Sequence, residues 1–236
     1  DMANAVVRMK TEKSISKKPY RIELAGKPLQ AVMAFGGNGQ TFDLLSIFSR
    51  TTDHLEWTPP DGDWKVAAVW QEPSGVAVER AAPGGEGWML NLFQGGVMPH
   101  YLDRFNAAFA SYDGHMPRAM YHDSYEYKCN WASDLFAEFE KRRGYRLQEH
   151  LDVFFGDAGS EEQARLKCDY RETLDDMILE NGIGVWSAWA RQKGCITRNQ
   201  AHGSPANLLD LYAAADIPET EMFNKDRDPL TSKFAS

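Results

Sequence analysis

The sequence predicts an α/β fold in which a β-rich segment, residues 1–81, precedes the central βα units of a partial (β/α)8 barrel, residues 82–236. Short apolar runs separated by Gly, Pro and Asp fill the first third, and apolar runs alternate with amphipathic helical patterns after it. A complete barrel takes about 250 residues, so the roughly 155 residues from Ala82 onward accommodate about five of its eight units. We therefore expect a barrel truncated at its C-terminal end.

The β-rich segment contains three clear strand patterns. They lie at residues 5–7, 20–24 and 66–70. Between Trp57 and Trp64, the dipeptide Asp61-Gly62 suits the positive backbone angles of a tight turn, which predicts a hairpin that joins two strands.

The remaining chain alternates strand and helix patterns. Strands are predicted at residues 88–92, 118–122, 195–198 and 213–217, and helices at 101–109, 131–143, 147–155 and 205–212. Residues 160–193 look helical almost throughout, with an interruption near residues 181–184 that could be a kink, a break or a functional loop.

Composition excludes several classes of protein. The formal net charge of −8 argues against binding to nucleic-acid backbones, which depends on clustered Lys and Arg. The sequence has no run of about 18 apolar residues, so no membrane-spanning helix is predicted. Cys129, Cys168 and Cys195 are odd in number and lack CxxC spacing, so we expect buried free thiols instead of a disulfide framework or zinc site.

A first group of candidate catalytic residues follows the predicted strand at residues 118–122. Asp123 and Glu126 lie where that strand ends, and catalytic side chains of βα barrels collect at this end of the strands. The alternative is structural, because Asp123 or Ser124 could cap a helix and Glu126 could lie in its first turn.

A second carboxylate group follows the predicted strand at residues 213–217. Glu219 and Glu221 lie just after Pro218, which marks the chain leaving the sheet. Hydrolysis of a glycosidic bond takes two carboxyl groups, and Glu126 with either of these glutamates would supply them. The alternative is that Glu219 and Glu221 are solvated loop charges.

Between these groups lies a polar segment that suits a sugar ligand. Arg198, Gln200 and His202 follow the predicted strand at residues 195–198 and provide the donors and acceptors that a polyhydroxylated ligand requires. We therefore expect them, together with Asp123, to bind a carbohydrate substrate.

Taken in chain order, these motifs resemble those of glycoside hydrolase family 106, the alpha-L-rhamnosidases. The resemblance is carried by residues 123–126, 143–145, 169–173, 198–203 and 215–221. It implies a (β/α)8 catalytic domain with attached β-domains, inverting hydrolysis of terminal alpha-L-rhamnosyl residues in glycans or glycosides, and a calcium ion near the sugar hydroxyls. The DSxE match implies that Glu126 is the general acid, and the metal ligands are not identified.

The sequence also departs from the family pattern. It ends at Ser236, just before a strand that would carry a further glutamate, so the general base could lie beyond this fragment and the fragment alone could be inactive. Asn91 stands where an acidic residue is expected. Two alternatives remain open: a noncatalytic carbohydrate-binding protein, and a retaining glycosidase of another specificity. Cellular location is not predicted, although a periplasmic or secreted parent is compatible with the resemblance.

Overall fold

The computed structural model describes residues 5–14, 20–23, 26–48, 54–125, 129–156 and 159–221. Contacts divide the chain into two compact units, which we call the β unit, residues 5–73 and 131–170, and the α/β unit, residues 1–4, 74–130 and 171–236. Grouping by contacts does not decide where domains begin in sequence, so the proposed boundary between residues 81 and 82 stays a prediction.

The described residues form nine strands in three small sheets. The strands are β1 (Ala5–Ser14), β2 (Tyr20–Glu23), β3 (Leu29–Gly36), β4 (Thr41–Asp43), β5 (His54–Trp57), β6 (Trp64–Pro73), β7 (Ala119–His122), β8 (Ile196–Asn199) and β9 (Ile217–Pro218). An antiparallel sheet has the order β1-β6-β3-β4, β2 pairs with β5, and a third sheet has the order β7-β8-β9.

Six α-helices occur in the same part of the chain. They are α1 (Val97–Ala110), α2 (Leu135–Arg143), α3 (Leu151–Phe154), α4 (Glu161–Ile178), α5 (Gly184–Gln192) and α6 (Leu208–Ala213). Helix α2 ends as its sequence predicts, with three basic residues in its last turn and Gly144 in the left-handed conformation. Short 3-10 turns lie at Leu45–Ile47 and Leu147–His150.

The β unit is built around β3 and β6. Six of the eight residues of β3 and five of the ten residues of β6 are buried. The main cluster of buried residues comprises Leu29, Val32, Ala34, Leu44, Leu55, Trp64, Val66 and Ala68. Six of the nine described strands, β1 to β6, lie in the first third of the chain.

The turn at Asp61-Gly62 joins two strands, β5 and β6, as predicted, but the expected hairpin pairing between them is wrong. Strand β5 pairs with β2, whereas β6 pairs with β1 and β3, so the segment joins two different sheets. Pro59 and Pro60 lack backbone N–H groups, and the Pro60 carbonyl accepts from the indole nitrogen of Trp64 at 3.0 Å instead of pairing across a hairpin.

The α/β unit contains the parallel sheet that the alternating pattern predicts. Strand β7 pairs in parallel with β8, and β8 with β9. Two strand predictions need correction: Trp88 makes only an isolated bridge with Ala77, and the third strand begins at Ile217, the last of the residues 213–217 predicted for it. The described residues thus give a mixed α/β fold, and three parallel strands do not make a (β/α)8 barrel.

The interruption predicted near residues 181–184 is a π-helical turn at Leu179–Ile183, which connects α4 to α5 without a break. It contacts the segment before α1: Asn181 donates to the Phe93 carbonyl at 2.7 Å. A Cβ atom on Gly182 would lie 3.2 Å from the Leu92 Cβ, so a glycine permits this close approach. Helices α1 and α5 also pack through Trp189, whose indole donates to Asn106 at 2.8 Å.

The three cysteines are free thiols, as expected, but only two are buried. Cys129 and Cys195 are buried, whereas Cys168 is exposed on α4. Cys168 lies on the side of α4 that is not buried. Among the described residues, no helix is both long and apolar enough to cross a membrane.

We expect Gly184→Ala to destabilise the protein although alanine is the better helix former. A Cβ atom at Gly184 would lie 2.7 Å from the Leu179 carbonyl oxygen, because the π turn brings that carbonyl close. Relieving this clash should cost about 1–3 kcal/mol, more than the gain of about 1 kcal/mol in helix propensity. Urea unfolding of the intact protein measures the difference.

The matched control is Gly95→Ala. A Cβ atom there meets only Asn181 Oδ1, at 3.8 Å, which is an ordinary contact. An equal loss of stability in both variants would contradict a specific role of the π turn.

Candidate active site at the carboxyl edge of the parallel sheet

The parallel hydrogen-bond ladder continues one residue past each strand. The Gln200 amide donates to the His122 carbonyl at 2.9 Å, and the Glu219 amide donates to the Asn199 carbonyl at 2.9 Å. Asp123, Gln200 and Glu219 are therefore the first residues after β7, β8 and β9, held side by side at the carboxyl edge of the sheet. This edge is where ligands bind in parallel α/β folds.

Alternation along the strands places these side chains on one face. Tyr121 is paired with Arg198, and Arg198 with Ile217. Side chains two residues apart point the same way, so the face continues through Asp123, Gln200 and Glu219. Thr197 and Asn199, on the opposite face, are fully buried.

The Gln200 amide connects the carboxylates of the two groups found in the sequence. In one orientation its nitrogen donates to Glu219 Oε1 at 3.5 Å. In the other, which satisfies more of its hydrogen bonds, the nitrogen donates to Glu221 at 3.3 Å and to Asp123 at 3.2 Å. Gln200 is only 6% exposed, so either arrangement is held in a largely buried setting.

Arg198 lies between an aromatic ring and a carboxylate. Its Nε donates to Glu219 Oε2, and its guanidinium lies over the Tyr121 ring, 4.7 Å from the centroid. The hydrogen bond to Glu219 is the main cause of the raised pKa of Arg198. The ion pair therefore fixes the direction of Glu219 relative to the sheet.

The loops that follow β7 and β8 are joined through their backbones. The Tyr125 amide donates to the His202 carbonyl at 2.8 Å. A Cβ atom on Gly203 would lie 2.4 Å from the Tyr125 carbonyl oxygen, and its φ of 78° is left-handed, so only glycine allows this approach. The His202 carbonyl thus contacts the chain segment that follows β7 and leads to Glu126.

The seven predicted site residues divide as follows. Asp123, Arg198, Gln200, Glu219 and Glu221 come together, His202 adjoins them through its backbone, and Glu126 lies outside the described residues. Their roles in binding and catalysis stay predictions. Tyr121 was missed by the sequence analysis, because its contact with Arg198 depends on the pairing of β7 with β8.

Two nearby polar residues are structural. His122 packs against the rings of Tyr125 and Trp186, and desolvation there lowers its pKa because it disfavours the charged form. Asn91, where an acidic residue was expected, accepts from the Phe93 amide at 3.2 Å and from Cys129 Sγ at 3.5 Å. Asn91 therefore serves to hold its own loop.

Comparison with known proteins is consistent with this geometry. The profile of glycoside hydrolase family 106, described as alpha-L-rhamnosidase, matches residues 40–235. The chain belongs to glycoside hydrolase family 106. Comparison with curated proteins gave no match.

The family 106 chain is also similar in fold to a solved structure, a rhamnosidase from Novosphingobium sp. PP1Y. The TM-score is 0.67 with 23% sequence identity over 80% of this chain. The match covers 19% of the rhamnosidase, so the chain spans about a fifth of that protein.

Asp216 fastens β9 to β8 and thereby supports Glu219. Its Oδ2 accepts from the Thr197 amide at 2.8 Å and the Thr197 hydroxyl at 2.9 Å, and Oδ1 accepts from Arg191 at 3.1 Å. These bonds, the Thr197 amide foremost, lower the pKa of Asp216. Asp216 is therefore a structural residue beside the site.

We expect Asp216→Asn to lower the free energy of unfolding by about 1–2 kcal/mol at pH 7, since an amide cannot accept all three hydrogen bonds. A carboxyl with a lowered native pKa stabilises the fold above its unfolded pKa, and that gain is lost as pH falls through the native value. The difference between wild type and variant should therefore shrink below about pH 4. Urea unfolding at pH 7 and pH 3 tests this.

Asp103→Asn is the control, because Asp103 is exposed on α1. A deficit in Asp216→Asn that stays constant at both pH values would show that the lost carboxylate charge is not the cause.

Proposed function

We propose that the protein carrying this chain hydrolyses terminal alpha-L-rhamnosides, and that the α/β unit is part of its (β/α)8 catalytic barrel. The observation that carries the proposal is the alignment of Asp123, Gln200 and Glu219 at the carboxyl edge of three parallel strands in a family 106 chain. Barrel enzymes place their catalytic groups at this edge.

The roles follow from the chemistry of an inverting glycosidase. One carboxylic acid protonates the leaving oxygen, while a carboxylate on the opposite side of the sugar removes a proton from the attacking water. We assign the acid to Glu126, on its family motif. Glu219 accepts a hydrogen bond from a guanidinium, so it suits the role of a charged base or of a group that stabilises positive charge on the sugar.

We assign substrate binding to the remaining polar side chains of the site. Asp123 and Glu221 accept hydrogen bonds from sugar hydroxyls, and the Gln200 amide offers both a donor and an acceptor. Arg198 and His202 complete the set as donors near the two loops. A terminal sugar with several free hydroxyls matches such a collection of acceptors and donors.

Calcium remains an expectation of the family resemblance. Carboxylate and amide oxygens such as those of Asp123, Glu221 and Gln200 are of the type that calcium prefers. However, the described part of the chain contains no group of three His, Cys, Asp or Glu residues that could hold a metal ion. No step of the reaction is assigned to the ion.

The test is hydrolysis of a panel of aryl glycosides by the intact protein, including the alpha-L-rhamnoside. Rhamnoside cleavage with inverted anomeric product, followed by NMR, supports the proposal. Retention of configuration would favour the retaining alternative. Sugar binding without hydrolysis would favour the noncatalytic carbohydrate-binding alternative.

We expect Glu126→Gln to slow cleavage of rhamnosides with poor leaving groups by about 10²–10⁴-fold. Activated aryl groups leave with little protonation, so their rhamnosides should lose far less. Glu219→Gln should slow both substrate classes alike, because activation of water or stabilisation of the sugar does not depend on the leaving group. Steady-state kinetics on the two substrates measures the contrast.

The control variant is Glu86→Gln, a change at an exposed glutamate of the α/β unit. Equal losses on both substrates in Glu126→Gln would reject Glu126 as the acid.

A further inference from the structure

Tyr121 is an exposed aromatic residue with two defined contacts. It is 48% exposed although it lies in strand β7. Its hydroxyl donates to Asp123 Oδ1 at 3.1 Å, and its ring supports the Arg198 guanidinium at 4.7 Å. An exposed tyrosine normally moves among rotamers, so two contacts on its two chemically different parts restrict it.

These contacts reach both sides of the candidate site. Asp123 is further held by the Ser124 amide, at 2.8 Å from the same Oδ1. Arg198, on the other side, binds Glu219. Tyr121 therefore contacts one carboxylate of the site, Asp123, directly and a second, Glu219, through Arg198.

The Tyr121 hydroxyl stays protonated and can therefore always donate a hydrogen bond. Desolvation, and then the hydrogen bond to Asp123, raises the pKa of Tyr121 to about 12. The hydroxyl keeps its proton at any pH where a glycosidase works, so its bond to Asp123 does not switch with pH. The contact of the Arg198 guanidinium with the Tyr121 ring is likewise independent of pH, because an arginine does not lose its charge.

We propose that Tyr121 is a positioning residue of this site: its hydroxyl orients Asp123, and its ring holds Arg198 against Glu219. The inference rests on the proposed function. Tyr121 takes no part in proton transfer, and it acts through the two groups that it holds. The two contacts are chemically separate, so they can be removed one at a time.

Two variants of the intact enzyme separate the contacts. Tyr121→Phe removes the hydroxyl and keeps the ring under Arg198, and we expect kcat/KM for the rhamnoside to fall about fivefold. Tyr121→Leu removes both contacts, and we expect a fall of about 30-fold. The matched control is Tyr112→Phe, since Tyr112 is 51% exposed and its hydroxyl donates to the His115 carbonyl, before β7 begins.

Double-mutant cycles separate positioning from a general effect on folding. In an Asp123→Ala background, Tyr121→Phe should change kcat/KM less than twofold, because its partner is already gone. In an Arg198→Ala background, the difference in kcat/KM between Tyr121→Phe and Tyr121→Leu should likewise become smaller. A residue that only stabilises the fold would give the same factor in every background. Such independence, or unchanged kinetics in both single variants, would overturn the proposal.

A second readout does not depend on activity. In crystal structures of the variants, Arg198 should keep its bond to Glu219 in Tyr121→Phe and leave it in Tyr121→Leu. An Arg198–Glu219 pair that persists in Tyr121→Leu overturns the positioning role. A wild-type enzyme inactive on every glycoside would sink the proposed function, and the crystal structures would still decide the role of Tyr121.

Discussion

The parallel register of β7, β8 and β9 is the constraint on which the candidate site depends. Three residues distant in sequence, Asp123, Gln200 and Glu219, become neighbours only because the ladder pairs His122 with Asn199 and Asn199 with Pro218. A shift of one residue in either pairing would turn a polar side chain away and bring a buried one to the surface. Burial of Thr197 and Asn199 on the opposite face opposes such a shift.

The register is reinforced where β9 is weakest. A two-residue strand has little pairing of its own, and Pro218 offers no amide to the ladder. Asp216 compensates by accepting from both the amide and the hydroxyl of Thr197. After Pro218, the Glu219 amide donates a hydrogen bond to the Asn199 carbonyl. Glu219 is thus fixed by hydrogen bonds on each side of a proline.

The sequence predicted the parts that local chemistry controls. Strand β7 and the helix stop at Gly144 follow from apolar runs and from a positive backbone angle. The hairpin at Asp61-Gly62 failed because strand pairing is a long-range choice, and a turn signal does not say which strands are partners. The π turn at Leu179–Ile183 was located but not identified, since glycines mark an interruption of a helix without showing whether it is a kink, a break or a π turn.

For the site, the sequence located the carboxylate groups because each follows a strand, but it could not supply the pairing between them. Which residue contacts Arg198 depends on the alignment of β7 with β8 and β9, and no local pattern contains that alignment. Tyr121 was missed for the same reason, as an exposed tyrosine in a short strand is ordinary until Arg198 lies opposite it.

The charge on this face has a consequence for the ligand. Asp123, Glu219 and Glu221 are gathered around Gln200, while Arg198 is the cation that binds one of them in the described part of the chain. Carboxylates are pure acceptors, so the excess of negative charge is best met by groups that donate hydrogen bonds. A polyol offers several hydroxyl donors without adding a charge, whereas an anionic ligand would be repelled. The electrostatics of the site therefore disfavour an anionic ligand, in agreement with the neutral rhamnoside proposed as substrate.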